Sequence, residues 1–421
     1  MKNEILKYLK NSNDDFYIKS KKIEELNRNY LNGNNLAAYY TNENVVKLMV
    51  DKLPNFDDLT EITILEPSVG IGNFIPYLIE KYKNKKINFI LNDIDNFIIE
   101  CLNLVFKNQE NINFNFTNED FLQTNLFDSI KIDLIIGNPP YIKIKDKKYL
   151  KQIKSIYEDK TNNIYAYFIQ KSLKISKNIS FIVPKSLLFV NEFQKTRNLL
   201  NKNIINIIDY EQSAFNIRME TISFIYSNNN SNDNKCEILN YKNKISIIQN
   251  NDYIFDENLP IWLLYRNKNF DETLNKLELD IFNVYRDRQI TNSMLNQDKK
   301  GKWILRGQNL QSEIIHVENY DKYCDKENLQ IEKFIDKNSK NDILIAPNLT
   351  PKPRFHILPK NTLVNGSIGL FVLKKELEIT KKDIEFLNSK EFQDYFDIVR
   401  NKSMFSINLD NNIGYFFGVL K

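Results

Sequence analysis

Between residues 62 and 227 the chain alternates short apolar runs with stretches of helical periodicity, and a fold must accommodate that alternation before anything else. The runs are 62–66, 88–93, 112–116, 132–137, 179–184, 204–209 and 221–227. Most are apolar on both faces, as strands of a parallel sheet covered on both sides are. Strands alternating with helices predict a doubly wound α/β domain. Ahead of it, Ile5, Leu6 and Leu9, then Ile23 and Leu26, stand at helical spacing in a polar, mixed-charge segment. The polar stretch 228–234 reads as a loop between two late strands or a linker.

After about residue 245 the alternation stops. A helix-like segment at 274–282 mixes with short apolar runs at 342–346 and 368–373, which predicts a separate α+β domain. The expected division is 1–244 and 245–421. Residues 1–244 carry 33 basic and 29 acidic groups, and 245–421 carry 25 of each, which sum to the chain's 58 and 54. The second domain is neutral in bulk, so any nucleic-acid contact there must come from a local patch.

Three scattered cysteines (Cys101, Cys236, Cys324) and two histidines (His316, His356) exclude a disulfide framework and a Cys/His zinc site. No metal is expected. The amino terminus has no apolar signal core, and no run of about 18 apolar residues is present. A cytoplasmic protein with no membrane contact is the expectation.

Four elements carry chemistry. Leu65-Glu66-Pro67-Ser68-Val69-Gly70-Ile71-Gly72-Asn73-Phe74 follows an apolar strand, and its glycines permit a tight turn close to a ligand. A dinucleotide fingerprint would place a third glycine where Ile75 stands, which argues against a pyrophosphate seat. A plain structural turn is the alternative. About 20 residues on, Asp93 in Leu91-Asn92-Asp93-Ile94-Asp95 ends the next strand, where a carboxylate can accept from both ribose hydroxyls of a nucleoside. Asp95 is the rival carboxylate, and a solvated turn the bland alternative. Asp120-Phe121 follows the third strand, an acceptor and an aromatic suited to an adenine amino group and ring. Last, Asn138-Pro139-Pro140-Tyr141 ends a buried strand. Proline fixes φ and removes N–H donors, so the turn is rigid. The Asn138 amide oxygen and the Pro139 carbonyl make two fixed acceptors, and Tyr141 adds a flat face. Such a set suits an exocyclic –NH2 on a planar base or amide.

The order of these elements resembles the gamma-class DNA adenine-N6 methyltransferases of restriction–modification systems. The likeness covers roughly residues 30–230. It extends to Ala37-Ala38-Tyr39-Tyr40-Thr41 with the helical pattern from Val45 to Val50, to Asn163-Ile164-Tyr165-Ala166-Tyr167-Phe168, to 179–187, and to Ser213-Ala214-Phe215 before the strand at 221. It implies a class I S-adenosylmethionine-dependent fold, Rossmann-like with a seven-strand, mostly parallel sheet, and an α+β target-recognition domain at 245–421. By matching position, Thr41, Glu66, Pro67, Ser68, Gly70 and Gly72 would hold the methionine end. Asp93 and Ile94 would hold the ribose, Asp120 and Phe121 the adenine, and Asn138 and Pro140 would border the cofactor. Asn138, Pro139, Pro140 and Tyr141 would be catalytic, with Tyr141 and Phe215 stacking on a flipped adenine. The implied partners are duplex DNA and a separate cognate endonuclease, with the enzyme acting as a monomer. Protein glutamine N5-methyltransferases share Asn-Pro-Pro-Tyr, but are usually much shorter. An RNA adenine methyltransferase shares all the motifs, and a non-catalytic nucleoside-binding module would have no use for the rigid acceptor pair.

Two surface stretches stand out. Residues 142–160 hold seven lysines against three acids and suggest a mobile segment bordering DNA. From Pro347 to Gly369 the chain carries Lys352, Arg354, His356 and Lys360 with no acid. Prolines 351, 353 and 359 are expected to hold those side chains outward for DNA. Trp303-Ile304-Leu305-Arg306-Gly307-Gln308-Asn309 is the second candidate, with Arg306 assigned to a base and Lys352 to a phosphate.

Overall fold

The computed structural model describes residues 2–14, 16–31, 41–157, 161–201, 203–215, 219–228, 234–348, 351–403 and 408–421. Residues 37–40 of the first motif, Lys160, Leu349, Thr350 and most of the Asn-rich stretch lie outside them. The chain divides into two compact units, Met1–Asp256 and Glu257–Lys421.

The first unit opens with helices α1 (Lys2–Asn11), α2 (Phe16–Leu31) and α3 (Glu43–Asp51). The alternating part runs β1 (Glu61–Glu66), α4 (Ile75–Lys81), β2 (Lys86–Asn92), α5 (Asn96–Val105), β3 (Ile112–Thr117) and β4 (Leu134–Gly137). It continues through α6 (Lys147–Tyr157), α7 (Ile164–Ile175), β5 (Asn178–Pro184), α8 (Gln194–Leu200), β6 (Ile204–Glu211), β7 (Thr221–Ser227), β8 (Lys235–Asn240), β9 (Ser246–Asn250) and α9 (Asn251–Ile254).

All seven expected strands are present. Among the described residues two more, β8 and β9, make one nine-stranded sheet of order β3-β2-β1-β4-β5-β7-β6-β8-β9, so the seven-strand expectation falls short. Pairs from β3 through β5, and β6 with β8, are parallel; β7 runs antiparallel to both its neighbours, and β9 to β8. The division at 256 instead of 244 has the same cause, because β9 pairs with β8 and α9 follows it. These two strands lack the doubly apolar character of most of the others. β9 lies at the sheet edge with Ile248 71% exposed, whereas β5 and β7 are buried almost throughout.

Capping fixes the helix starts. Asn42 accepts the Asn44 N–H at α3, and Asp95 accepts the Phe97 N–H at α5. Within the lysine-rich stretch, residues 147–157 form α6, which buries Ile153 and Tyr157 one turn apart and leaves Lys147, Lys148 and Lys151 exposed.

The second unit is α+β. Among its elements, β11 (Phe282–Tyr285), β17 (Ile368–Leu373), β14 (Leu344–Pro347) and β15 (His356–Ile357) form an antiparallel sheet in that order. A second sheet orders β13 (Lys322–Cys324), β12 (Lys302–Leu305) and β16 (Thr362–Val364). The helix expected over 274–282 instead spans Lys268–Lys276 as α10. Leu277–Glu278 (β10) leaves it to pair with Val419–Leu420 (β18).

One buried ion pair crosses the first unit's sheet: Lys185 Nζ lies 2.7 Å from Asp209 Oδ2, both almost wholly shielded. Removing one partner strands the other charge. Asp209→Ala is therefore expected to cost about 3–5 kcal/mol, and replacing both residues with apolar ones of similar volume to recover most of it. Denaturant unfolding of the three proteins measures this.

Candidate active site

β1 lies between β2 and β4, and the sheet order reverses there. A crevice opens beyond the carboxyl ends of such strands. Each strand end in it is tied to its neighbour. Gly70 has φ +55° and Gly72 φ +79°. A Cβ on Gly72 would meet only side-chain atoms, Ile75 Cδ1 at 2.9 Å being the nearest, so it is the left-handed backbone that favours glycine there. Around Gly70 the space is open, and its N–H donates to Asp93 Oδ2 at 2.9 Å across 23 residues. The other Asp93 oxygen accepts the Asp95 N–H at 3.0 Å. Asp95, the rival carboxylate, also lines the cavity and caps α5 through Oδ1.

Asn92 was not singled out in the sequence, yet it joins three strand ends. Its Nδ2 donates to the Pro67 and Glu119 carbonyls, and its Oδ1 accepts from Thr117 Oγ1 and the Glu119 N–H. The only signal was a polar side chain closing an apolar strand. Ser20 of α2, also unforeseen, donates to the Ile71 carbonyl and braces the glycine loop from outside.

At the Asn138–Tyr141 turn, Asn138 Nδ2 donates to Thr41 Oγ1 at 3.3 Å, tying the amide to the segment that precedes α3. Ser68 Oγ donates to the Asn138 carbonyl, joining this turn to the glycine loop. The Tyr141 hydroxyl donates to the Ile182 carbonyl at 2.8 Å.

These residues surround a cavity of about 280 Å³, close to the size of small-molecule sites. Thr41, Glu66, Pro67, Ser68, Gly70, Asp93, Ile94, Asp120, Phe121, Asn138, Pro139 and Pro140 line it together, with Asn73, Ile142, Tyr149, Ile164 and Phe168 among the additional wall residues. Three predicted residues are not in the wall. Gly72 stands behind it, where its role is the turn. Tyr141 and Phe215 pack against each other edge to face, with centroids 6.1 Å apart and planes at 72°. They are neighbours as expected, but not a parallel pair with a base-sized gap.

Glu66 is 2% exposed, and its Oε2 has no hydrogen-bond partner among the described residues. Burial, and then the charge of Asp93, hold its pKa well above the ordinary carboxylate range. Burial also raises Asp93, opposed by the N–H groups of Asp95 and Gly70.

In the second unit, the two candidate surface stretches meet. Arg354 Nη1 donates to Gln311 Oε1 at 3.0 Å and Nη2 to the Gly307 carbonyl, while His356 Nε2 lies 3.0 Å from the Gln311 carbonyl. The prolines therefore do not hold Arg354 and His356 outward. Pro353 and Phe355 are buried, which turns both half-buried side chains back onto 307–311. Lys352 is exposed, and the Arg306 guanidinium lies 4.2 Å over the Tyr320 ring.

Residues 58–217 match the family described as Eco57I restriction-modification methylase. The modification methylase CviBIII of Paramecium bursaria Chlorella virus NC1A is 27% identical over 168 residues, 39% of this chain and 42% of that protein. Both findings support a restriction–modification methyltransferase. Two solved structures share the fold. The type IIG restriction endonuclease BpuSI aligns over 96% of this chain and 60% of its own, with TM-score 0.51 at 13% identity. DrdV, determined as a DNA complex, aligns over 93% and 55%, with TM-score 0.53 at 14% identity. The chain thus spans less than two thirds of each of these proteins. Among the described residues, no helix is long and apolar enough to cross a membrane.

The raised pKa of Glu66 fixes the sign of a linkage. In the folded state Glu66 binds its proton more tightly than in the unfolded chain. Its contribution is therefore fully present below the ordinary value of 4.5 and is lost as pH rises toward the folded pKa. Glu66→Gln is expected to stabilise the ligand-free protein at pH 7, with the gain shrinking as pH falls toward 4.5. Thermal unfolding across that range checks it.

Proposed function

We propose that the chain transfers a methyl group from S-adenosylmethionine to N6 of an adenine flipped out of duplex DNA, as the modification activity of a restriction–modification system. The observation that carries this reading is the rigid acceptor turn at 138–141 opening on the same cavity as the three carboxylates of Glu66, Asp93 and Asp120. The buried, unpartnered Oε2 of Glu66 suits the ammonium of the cofactor's methionine end, because a buried acceptor without a donor calls for one from a ligand. Asp93 retains acceptor capacity for ribose hydroxyls beside the two backbone bonds it makes. Asp120 and Phe121 suit the adenine, with Ile94, Pro140 and Phe168 against its faces.

The cofactor supplies an electrophilic methyl on its sulfonium. The work of the chain is positioning and charge stabilisation. Adenine N6 is a weak nucleophile because its lone pair is delocalised into the ring. Asn138 Oδ1 and the Pro139 carbonyl accept its two N–H bonds, return charge to nitrogen and fix the line of attack. The Thr41 contact on Asn138 Nδ2 holds the amide in place at the cavity. Extruding the base costs a few kcal/mol. Tyr141 and Phe215 offset that by stacking, about 1–3 kcal/mol per ring, once their edge-to-face contact opens to admit the base. Target reading falls to the second unit. The joined stretch of Arg306–Gln311 with Arg354 and His356 meets bases there, and Lys352 a phosphate.

Wild type is expected to move label from tritiated S-adenosylmethionine onto duplex DNA, and not onto RNA or protein. Asn138→Ala should abolish transfer while cofactor affinity falls only modestly. Equal turnover of the variant on saturating DNA contradicts the assignment. For the second unit, Arg354→Ala should cost about 1–3 kcal/mol and relax specificity at one position, while Lys352→Ala weakens all sequences alike and lowers the salt slope by about one. Affinity against salt and mapping of methylated sites separate the two roles.

A further inference from the structure

α6 leaves the Asn138–Tyr141 turn and returns over the segment that follows β3. Tyr149, Ile153 and Tyr157 recur every four residues along one face of it. The Tyr157 hydroxyl donates to the Leu122 carbonyl at 2.8 Å, which clamps the helix to that segment. Two turns earlier, the Tyr149 hydroxyl reaches both oxygens of Asp120, at 3.2 and 3.0 Å, and its side chain lines the cavity wall.

Asp120 has two further donors. The Leu122 N–H meets Oδ1 at 3.0 Å, and Gln123 Nε2 meets Oδ2 at 2.7 Å. A carboxylate offers about four acceptor positions. The Tyr149 hydroxyl brings a single proton shared between both oxygens, so the three donors supply three protons to about four positions and leave one. We propose that Tyr149 is a positioning and specificity residue: its hydroxyl orients Asp120 so that a single acceptor position is left for one N–H of an exocyclic amine. The arrangement selects a 6-aminopurine over a 6-oxopurine, whose carbonyl oxygen would face the carboxylate without a proton between them. Burial and the Asp120 charge raise the Tyr149 pKa, so the phenol stays a donor. This inference rests on the reading of the cavity as an adenosyl site.

The test is calorimetry with two ligands, S-adenosylhomocysteine and S-inosylhomocysteine, which differ at the purine 6 position. Wild type should prefer the adenosyl ligand. Tyr149→Phe keeps the ring and removes the donor. It should raise the dissociation constant for S-adenosylhomocysteine about tenfold, the effect of one hydrogen bond to a charged group, and change that for S-inosylhomocysteine less than twofold. In an Asp120→Asn background the same change should have no further effect. Equal loss on both ligands, unchanged affinity for the adenosyl ligand, or full additivity with Asp120→Asn overturns the assignment of Tyr149. Wild type that binds neither ligand overturns the adenosyl-site reading, and this inference with it.

Discussion

The parallel pairing of β1 with β2 on one side and β4 on the other is the constraint on which the site depends. It brings the carboxyl ends of three strands side by side, so residues far apart in sequence share one rim. The pairing alone would leave loose loop starts. Their fixed positions come from hydrogen bonds across the rim: Gly70 to Asp93, Asn92 to both Pro67 and Glu119, Ser68 to the Asn138 carbonyl, and Asn138 to Thr41. The carboxylate suited to ribose thus also holds the glycine loop. A change at Asp93 would therefore act on loop geometry as well as on any ligand contact.

That arrangement sets stability against function. Glu66 and Asp93 are acids brought close together away from water, and burial raises the pKa of both. Only Asp93 receives N–H donors in return, which leaves one Glu66 oxygen unmatched. A chain optimised for stability alone would place an apolar or amide side chain there. A ligand with a cationic group turns the same liability into binding energy.

Strands β1 to β7 were legible because most are apolar on both faces, a pattern helices and loops do not share over so few residues. β9 escaped because it is an edge strand in which Ser246 to Asn250 looks polar, and β8 because Lys235, Glu237 and Asn240 break its apolar run. The break at Lys276 was hidden as well, since Leu277–Glu278 leaves the helix for a strand partner more than a hundred residues away. In the site, the legible residues were types with few other uses at a strand end: glycines, acids and Asn-Pro-Pro-Tyr. Asn92, Ser20 and Tyr149 were not legible. Each acts through a partner distant in sequence, and an Asn, a Ser or a Tyr has many ordinary roles. Arg354 shows the converse. Its charge stands in an acid-free stretch, but Pro353 and Phe355 anchor the chain inward and fold it against Gln311.

Two fixed acceptors at the end of β4 are proposed to engage the exocyclic amine of adenine in DNA. Duplex DNA treated with the protein and S-adenosylmethionine can be digested to nucleosides and resolved by mass spectrometry. N6-methyl-2′-deoxyadenosine is the expected product, absent when Asn138 is replaced by alanine. Methyl groups found on cytosine instead of adenine, or on RNA or protein in place of DNA, would contradict it.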